Sequence, residues 1–129
     1  MTEPTPSQLV LIRHGESQSN RGHWISSQST CGGLTDKGKA EAAAARDYLA
    51  QLPEFAPNAV VVSTMRRAIE TADIVAGPTG FVAEQRAELI ERVPGEVEGM
   101  TVDTFVENFG HRPWHRWQPA LSPLRGWQR

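Results

Sequence analysis

Two short runs without a polar side chain, residues 9–12 (LVLI) and 59–62 (AVVV), constrain this chain more than any other feature. Four consecutive apolar residues are too few for a buried helix and suit a strand covered on both faces, as in a parallel sheet. Each run is followed in turn by a helical pattern. Thr35 can cap a helix with Asp36 in its first turn, and Ala40, Ala44, Tyr48 and Leu52 then recur every four residues up to Pro53. Met65, Ala68, Ala72, Val75 and Ala76 form the apolar stripe of a second helix that stops near Gly77 and Pro78. A short third strand over 81–83 and a helix over 101–109, capped by Thr101, complete the pattern. Strands joined by helical crossovers must pair in parallel, so the expected fold is α/β: a three-layer sandwich, mostly parallel, with helices on both sheet faces.

Between the first run and the first helix, residues 17–33 are rich in Ser, Gly and amide side chains and read as a long, mostly irregular segment of the functional kind. Residues 1–8 read as a disordered tail, and 9–129 as one domain, the size being right for a single core. The stretch 110–129 is atypical. It holds Trp114, Trp117 and Trp127 and no acidic residue, and Arg112, Arg116, Arg125 and Arg129 give it a charge of +4. The whole chain carries only −2, which excludes a protein built to wrap nucleic acid or coat an anionic membrane. The lone Cys31 permits neither an internal disulfide nor a multi-thiolate metal site, and no apolar stretch is long enough to span a bilayer. A cytoplasmic location is the expectation, and the oligomeric state is open.

Ligands of open α/β sheets gather beyond the carboxyl ends of the strands. The first run delivers Arg13-His14-Gly15 there, and the second delivers Arg66 and Arg67 at a helix N-terminus. A neutral imidazole is a nucleophile near pH 7, and guanidinium groups hold phosphoryl oxygens bidentately. Arg66 and Arg67 lie about 100° apart on a helix, so only one can face the ligand.

Residues 9–20 (LVLIRHGESQSN) resemble the signature of the histidine phosphatase superfamily, the group that includes the phosphoglycerate mutases. Three further stretches are similar to that family's motifs, in order: 34–38 (LTDKG), 63–72 (STMRRAIETA), and Leu89-Ile90-Glu91 followed by 95–101 (GEVEGMT). The resemblance implies that His14 is the nucleophile, that Arg13 and Arg67 bind the phosphoryl oxygens with Asn20 in the phosphate pocket, and that Glu91 protonates the leaving oxygen. Arg66 is then the bystander. Glu88 and Glu98 are the next candidates should Glu91 point away. Phosphoryl transfer needs in-line positioning and neutralised oxygens, which two arginines supply, so neither metal nor cofactor is expected.

The family's second catalytic histidine, in a V-x-x-H-G context, has no counterpart here. His111 and His115 are the histidines beyond Glu91, and both sit among Pro and Trp; His23 reads as plain surface. The chain is therefore expected to be a truncated domain, its activity weakened or lost. The mutase branch carries G-W-x-D just before the L-T motif, whereas this chain has Cys31 where the Asp falls, which favours a phosphatase. The reading is a phosphomonoester hydrolase acting on a small phosphorylated substrate through a phosphohistidine. The alternatives are a non-catalytic anion-binding or interaction module and a mutase-type phosphotransferase.

Overall fold

The structure, a computed structural model, describes residues 7–113. Helix α1, Gln18–Gly22, comes first, followed by α2 (Asp36–Leu49), strand β1 (Val61–Ser63), α3 (Arg66–Ala76), β2 (Glu84–Arg86) and α4 (Val102–Phe109). β1 and β2 pair in parallel, with Val62 opposite Gln85, as the helical crossover between them requires. The chain is thus α/β with a parallel pair, and its core lies between α2 and α3, where Ala42, Leu49 and Val75 pack with Ala45, Ile74 and Phe55.

Each helix starts where its cap lies. The Thr35 hydroxyl accepts from the Gly38 N–H and the Thr101 hydroxyl from the Thr104 N–H, satisfying donors that the first turn leaves unpaired. α3 has no such side-chain cap, the residue before it being the buried Met65.

Four local expectations need correction. Residues 9–12 form no ladder among the described residues, and Leu9 and Leu11 are each 82% exposed. An apolar run reports a preference for burial, but a strand exists only where a neighbour offers ladder partners, and among the described residues β1 is paired with β2 alone. The second run is covered on one face, with Val62 buried and Val61 exposed, because alternate strand residues point to opposite faces and, among the described residues, the face that Val61 presents is left half open. The third strand falls at 84–86 instead of 81–83, set by the Glu84 N–H donating to the Val60 carbonyl. The segment 17–33 is mostly irregular, as expected, apart from the short α1, at whose start Ser17 and Asn20 cap each other reciprocally. Finally, α2 buries Gly38, Ala42 and Leu49, leaving Ala40, Ala44 and Tyr48 outside. An alanine-rich helix offers more than one apolar stripe, and packing on α3 selects among them.

Among the described residues no helix is long and apolar enough to cross a membrane. The expectations for residues 1–6, for His115 and for the Trp-rich stretch from Trp114 onward lie outside the described residues.

Candidate active site

The loop carrying Arg13, His14 and Gly15 is clamped by both long helices. Gly15 packs so closely on α2 that a Cβ there would lie 2.2 Å from the Gly38 carbonyl oxygen, and one on Gly38 would lie 2.0 Å from that of Glu16. Glycine at both places lets backbone touch backbone. The Thr35 N–H donates to the Glu16 carbonyl, and the Glu16 N–H to the Glu41 carboxylate. From the other side, the Gly15 N–H donates to Thr71 Oγ1, which itself donates to the Arg67 carbonyl one turn back along α3. Thr71 therefore joins the backbones beneath His14 and Arg67. Sequence reasoning missed this role, although the i, i+4 spacing from Arg67 was there to be read.

His14 and Arg67 meet directly. Arg67 Nε donates to His14 Nε2 at 3.1 Å, and His14 Nδ1 lies 2.7 Å from the Gly15 carbonyl. One tautomer satisfies both contacts: Nδ1 carries the proton and donates to the carbonyl, leaving the lone pair on Nε2. Burial holds the His14 pKa below 6.5 against the opposing Gly15 hydrogen bond, and the positive charges of Arg67 and Arg13 push it the same way as burial. The nearby Glu91 charge opposes them. The net effect favours the neutral imidazole.

Arg67 is buried and its guanidinium is divided between two tasks. Nη1 is held from the loop side by Ser26 Oγ at 3.0 Å and Cys31 Sγ at 3.6 Å. Nη2 stands 3.7 Å from a Glu91 oxygen, an ion-pair distance too long for a hydrogen bond. Its N–H groups are the ones best placed to receive an anion. Arg66, one residue earlier, points away and pairs with Glu70 at 2.7 Å, as the bystander reading expects. Glu70 also accepts from the Leu34 N–H, so this pair pins the loop before α2 onto α3. Burial raises the Glu70 pKa, but the Leu34 N–H and Arg66 outweigh it and hold the carboxyl below its ordinary value.

Arg13, His14, Asn20, Arg67 and Glu91 line one cavity of about 210 Å³. All five residues singled out from sequence thus come to one place. Asn20 spends its amide oxygen on Ser17, which leaves the donors of Nδ2 for another partner. Glu91 is 60% exposed, with Arg92 Nη2 3.2 Å from its other oxygen. Glu98 is engaged elsewhere, accepting from the hydroxyls of Ser27 and Ser29. Those bonds hold its carboxyl below the ordinary range. His23 is exposed, as its reading as surface expects, and it borders the cavity with its backbone in the left-handed region at φ 53° as the cap of α1. His111 lies edge-on to Phe105 of α4 and does not line this cavity. Among the described residues no group of three or more His, Cys, Asp or Glu could hold a metal ion.

Comparison with known proteins agrees in sequence and in fold. Residues 9–127 match the model of the histidine phosphatase superfamily (branch 1). The 2,3-bisphosphoglycerate-dependent phosphoglycerate mutase 2 of Lactobacillus johnsonii is 33% identical over 124 residues, spanning 92% of this chain and 54% of the mutase. The fructose-2,6-bisphosphatase TIGAR B of Danio rerio is 44% identical over 69 residues, spanning 54% of this chain and 26% of that protein. The mycobacterial glucosyl-3-phosphoglycerate phosphatase, solved with VO3, superposes with a TM-score of 0.66 at 28% identity, covering 80% of this chain and 48% of the phosphatase. The chain spans about half the length of the mutase and of the phosphatase it matches.

Proposed function

This chain belongs to the histidine phosphatase superfamily, branch 1, and from that premise we propose that it hydrolyses small phosphomonoesters through a phosphohistidine at His14. The observation that carries the reading is the Arg67 Nε to His14 Nε2 contact of 3.1 Å between an imidazole and a guanidinium that line one cavity, which supports the roles of nucleophile and phosphoryl-binding cation.

The chemistry follows from that geometry. An arriving phosphoryl group takes the Nε and Nη2 donors of Arg67, together with Arg13 and Asn20 Nδ2, and so frees the His14 lone pair. Nε2 then attacks phosphorus in line as the ester P–O bond breaks, and Glu91 gives its proton to the departing alkoxide. The Nδ1–H bond to the Gly15 carbonyl stabilises the positive charge that develops on the ring. Water next attacks phosphorus, breaks the P–N bond and returns a proton to Glu91. Neither step calls for a metal.

A radiolabelled phosphomonoester tests this with the chain as it stands. Acid-labile label on the wild type that is absent from His14→Ala supports the reading; no label, with no hydrolysis of p-nitrophenyl phosphate, refutes it. One observation favours a binding-only module: the Glu91 carboxylate lies against Arg67 and Arg92, whereas leaving-group protonation needs a carboxylic acid. Vanadate or phosphate binding by calorimetry without turnover selects that reading. Passage of the label to an acceptor alcohol instead of water selects a mutase-type transferase.

A further inference from the structure

We infer that Cys31 is a positioning residue for Arg67, its sulfur fixing which edge of the guanidinium faces the cavity. The inference rests on Arg67 being the anion-binding cation of the proposed function.

Cys31 is 0% exposed and so cannot touch a ligand. Its Sγ accepts from two parts of the same arginine, the backbone N–H at 3.4 Å and Nη1 at 3.6 Å. One atom therefore sets both where α3 begins, near its first turn, and how the side chain leaves it. A guanidinium is a planar fork, and fixing Nη1 determines where Nε and Nη2 point. With Nη1 turned to Cys31 and Ser26, the opposite edge faces His14 and Glu91.

The sulfur has little freedom to drift. Gly32 and Gly33 follow at φ 71° and 79°, turning the chain sharply away. Leu34 is then tied to Glu70 through its N–H, and Gly33 to α1 through the Gln18 N–H. The thiol is held from the helix side and from the loop side at once. A thiol suits the task because it accepts weakly and brings no formal negative charge. It orients Arg67 without itself offsetting the positive charge that a phosphoryl group would meet.

The experiment measures vanadate and phosphate affinity by calorimetry on the full chain, for the wild type, Cys31→Ala, Cys31→Ser and Cys31→Asp, each beside its thermal melt. Removing one weak charge-assisted acceptor is expected to weaken binding about 3- to 10-fold in Cys31→Ala. Cys31→Ser keeps an acceptor and is expected to stay within about 2-fold of the wild type, although both variants lose packing volume. Cys31→Asp holds the fork but cancels its charge, and is expected to lose at least as much affinity as Cys31→Ala. A merely structural thiol would give Ala and Ser variants that melt lower and bind alike, and that result overturns the inference. Should Cys31→Ala fail to fold, equal affinity of Cys31→Asp and wild type overturns it alone. A wild type that binds neither anion refutes the proposed function itself, and this inference with it.

Discussion

Alanine at Gly38 tests the placement of His14 from a site that never touches the cavity. A Gly→Ala change inside a helix ordinarily gains about 0.5–1 kcal/mol, since Gly is a poor helix former. Here the opposite sign is expected. The added Cβ would stand 2.0 Å from the Glu16 carbonyl oxygen, whereas ordinary contact begins at 3.4 Å, and the offending atom is backbone. The motif loop must retreat from α2 by roughly 1.4 Å, the gap between those two distances. Overpacking of this kind costs about 1–3 kcal/mol, which for a domain of this size lowers the melting temperature by on the order of 5–10 °C. Because His14 lies two residues from Glu16, the 3.1 Å contact with Arg67 opens with it. A misplacement of about 1 Å can cost about 10²-fold in rate, so both vanadate affinity and any phosphatase activity fall steeply. Gly15→Ala attacks the same interface from the other side, its Cβ 2.2 Å from the Gly38 oxygen, and is expected to give the same phenotype. Gly77→Ala is the control, with nothing within 4 Å of its Cβ. Melting curves and vanadate titrations of the three variants decide the matter. A stabilised Gly38→Ala protein with wild-type affinity would refute the close backbone approach and the account of how His14 is held.

Four other outcomes are expected. Arg66→Ala and Arg67→Ala should separate cleanly: the first keeps wild-type vanadate affinity, whereas the second loses at least about 10-fold, as expected for a charge-assisted pair. Equal losses would show that the wrong arginine was assigned. The acid limb of kcat/KM should lie below 6.5, because burial and two arginines hold His14 neutral there. The same lowered pKa makes the unfolded chain bind more protons below 6.5, so stability from this residue falls on acidification; melts across pH 5–7 on wild type and His14→Ala measure the difference. Glu70→Gln should cost about 1 kcal/mol at neutral pH by weakening the bonds to Leu34 and Arg66. With the Glu70 pKa held low, that contribution is full at neutral pH and disappears only as the pH falls below 4.5, which urea titrations at two pH values check.

Much of the site could be read from the amino acids because its parts are short and local. Thr35 and Thr101 cap their helices as expected, since a cap is a bond between near neighbours. The choice of Arg67 over Arg66 followed from helical geometry together with the family motif, and the ion pair of Arg66 with Glu70 shows where the other side chain goes. The 3.1 Å contact between residues 53 apart could only be inferred, from two chain segments that both suited a phosphoryl group.

Tertiary structure decided whatever depends on a distant partner. Residues 9–12 announce a wish for burial, yet pairing is a property of two segments, and among the described residues no ladder includes them. The buried stripe of α2 was set by α3, because alanines all around a helix leave its orientation open until something packs on it. The bonds of Cys31 to Arg67 and of Gly15 to Thr71 leave no pattern in composition or period: each joins groups brought together by the fold, at distances where a few tenths of an ångström determine whether a hydrogen bond exists.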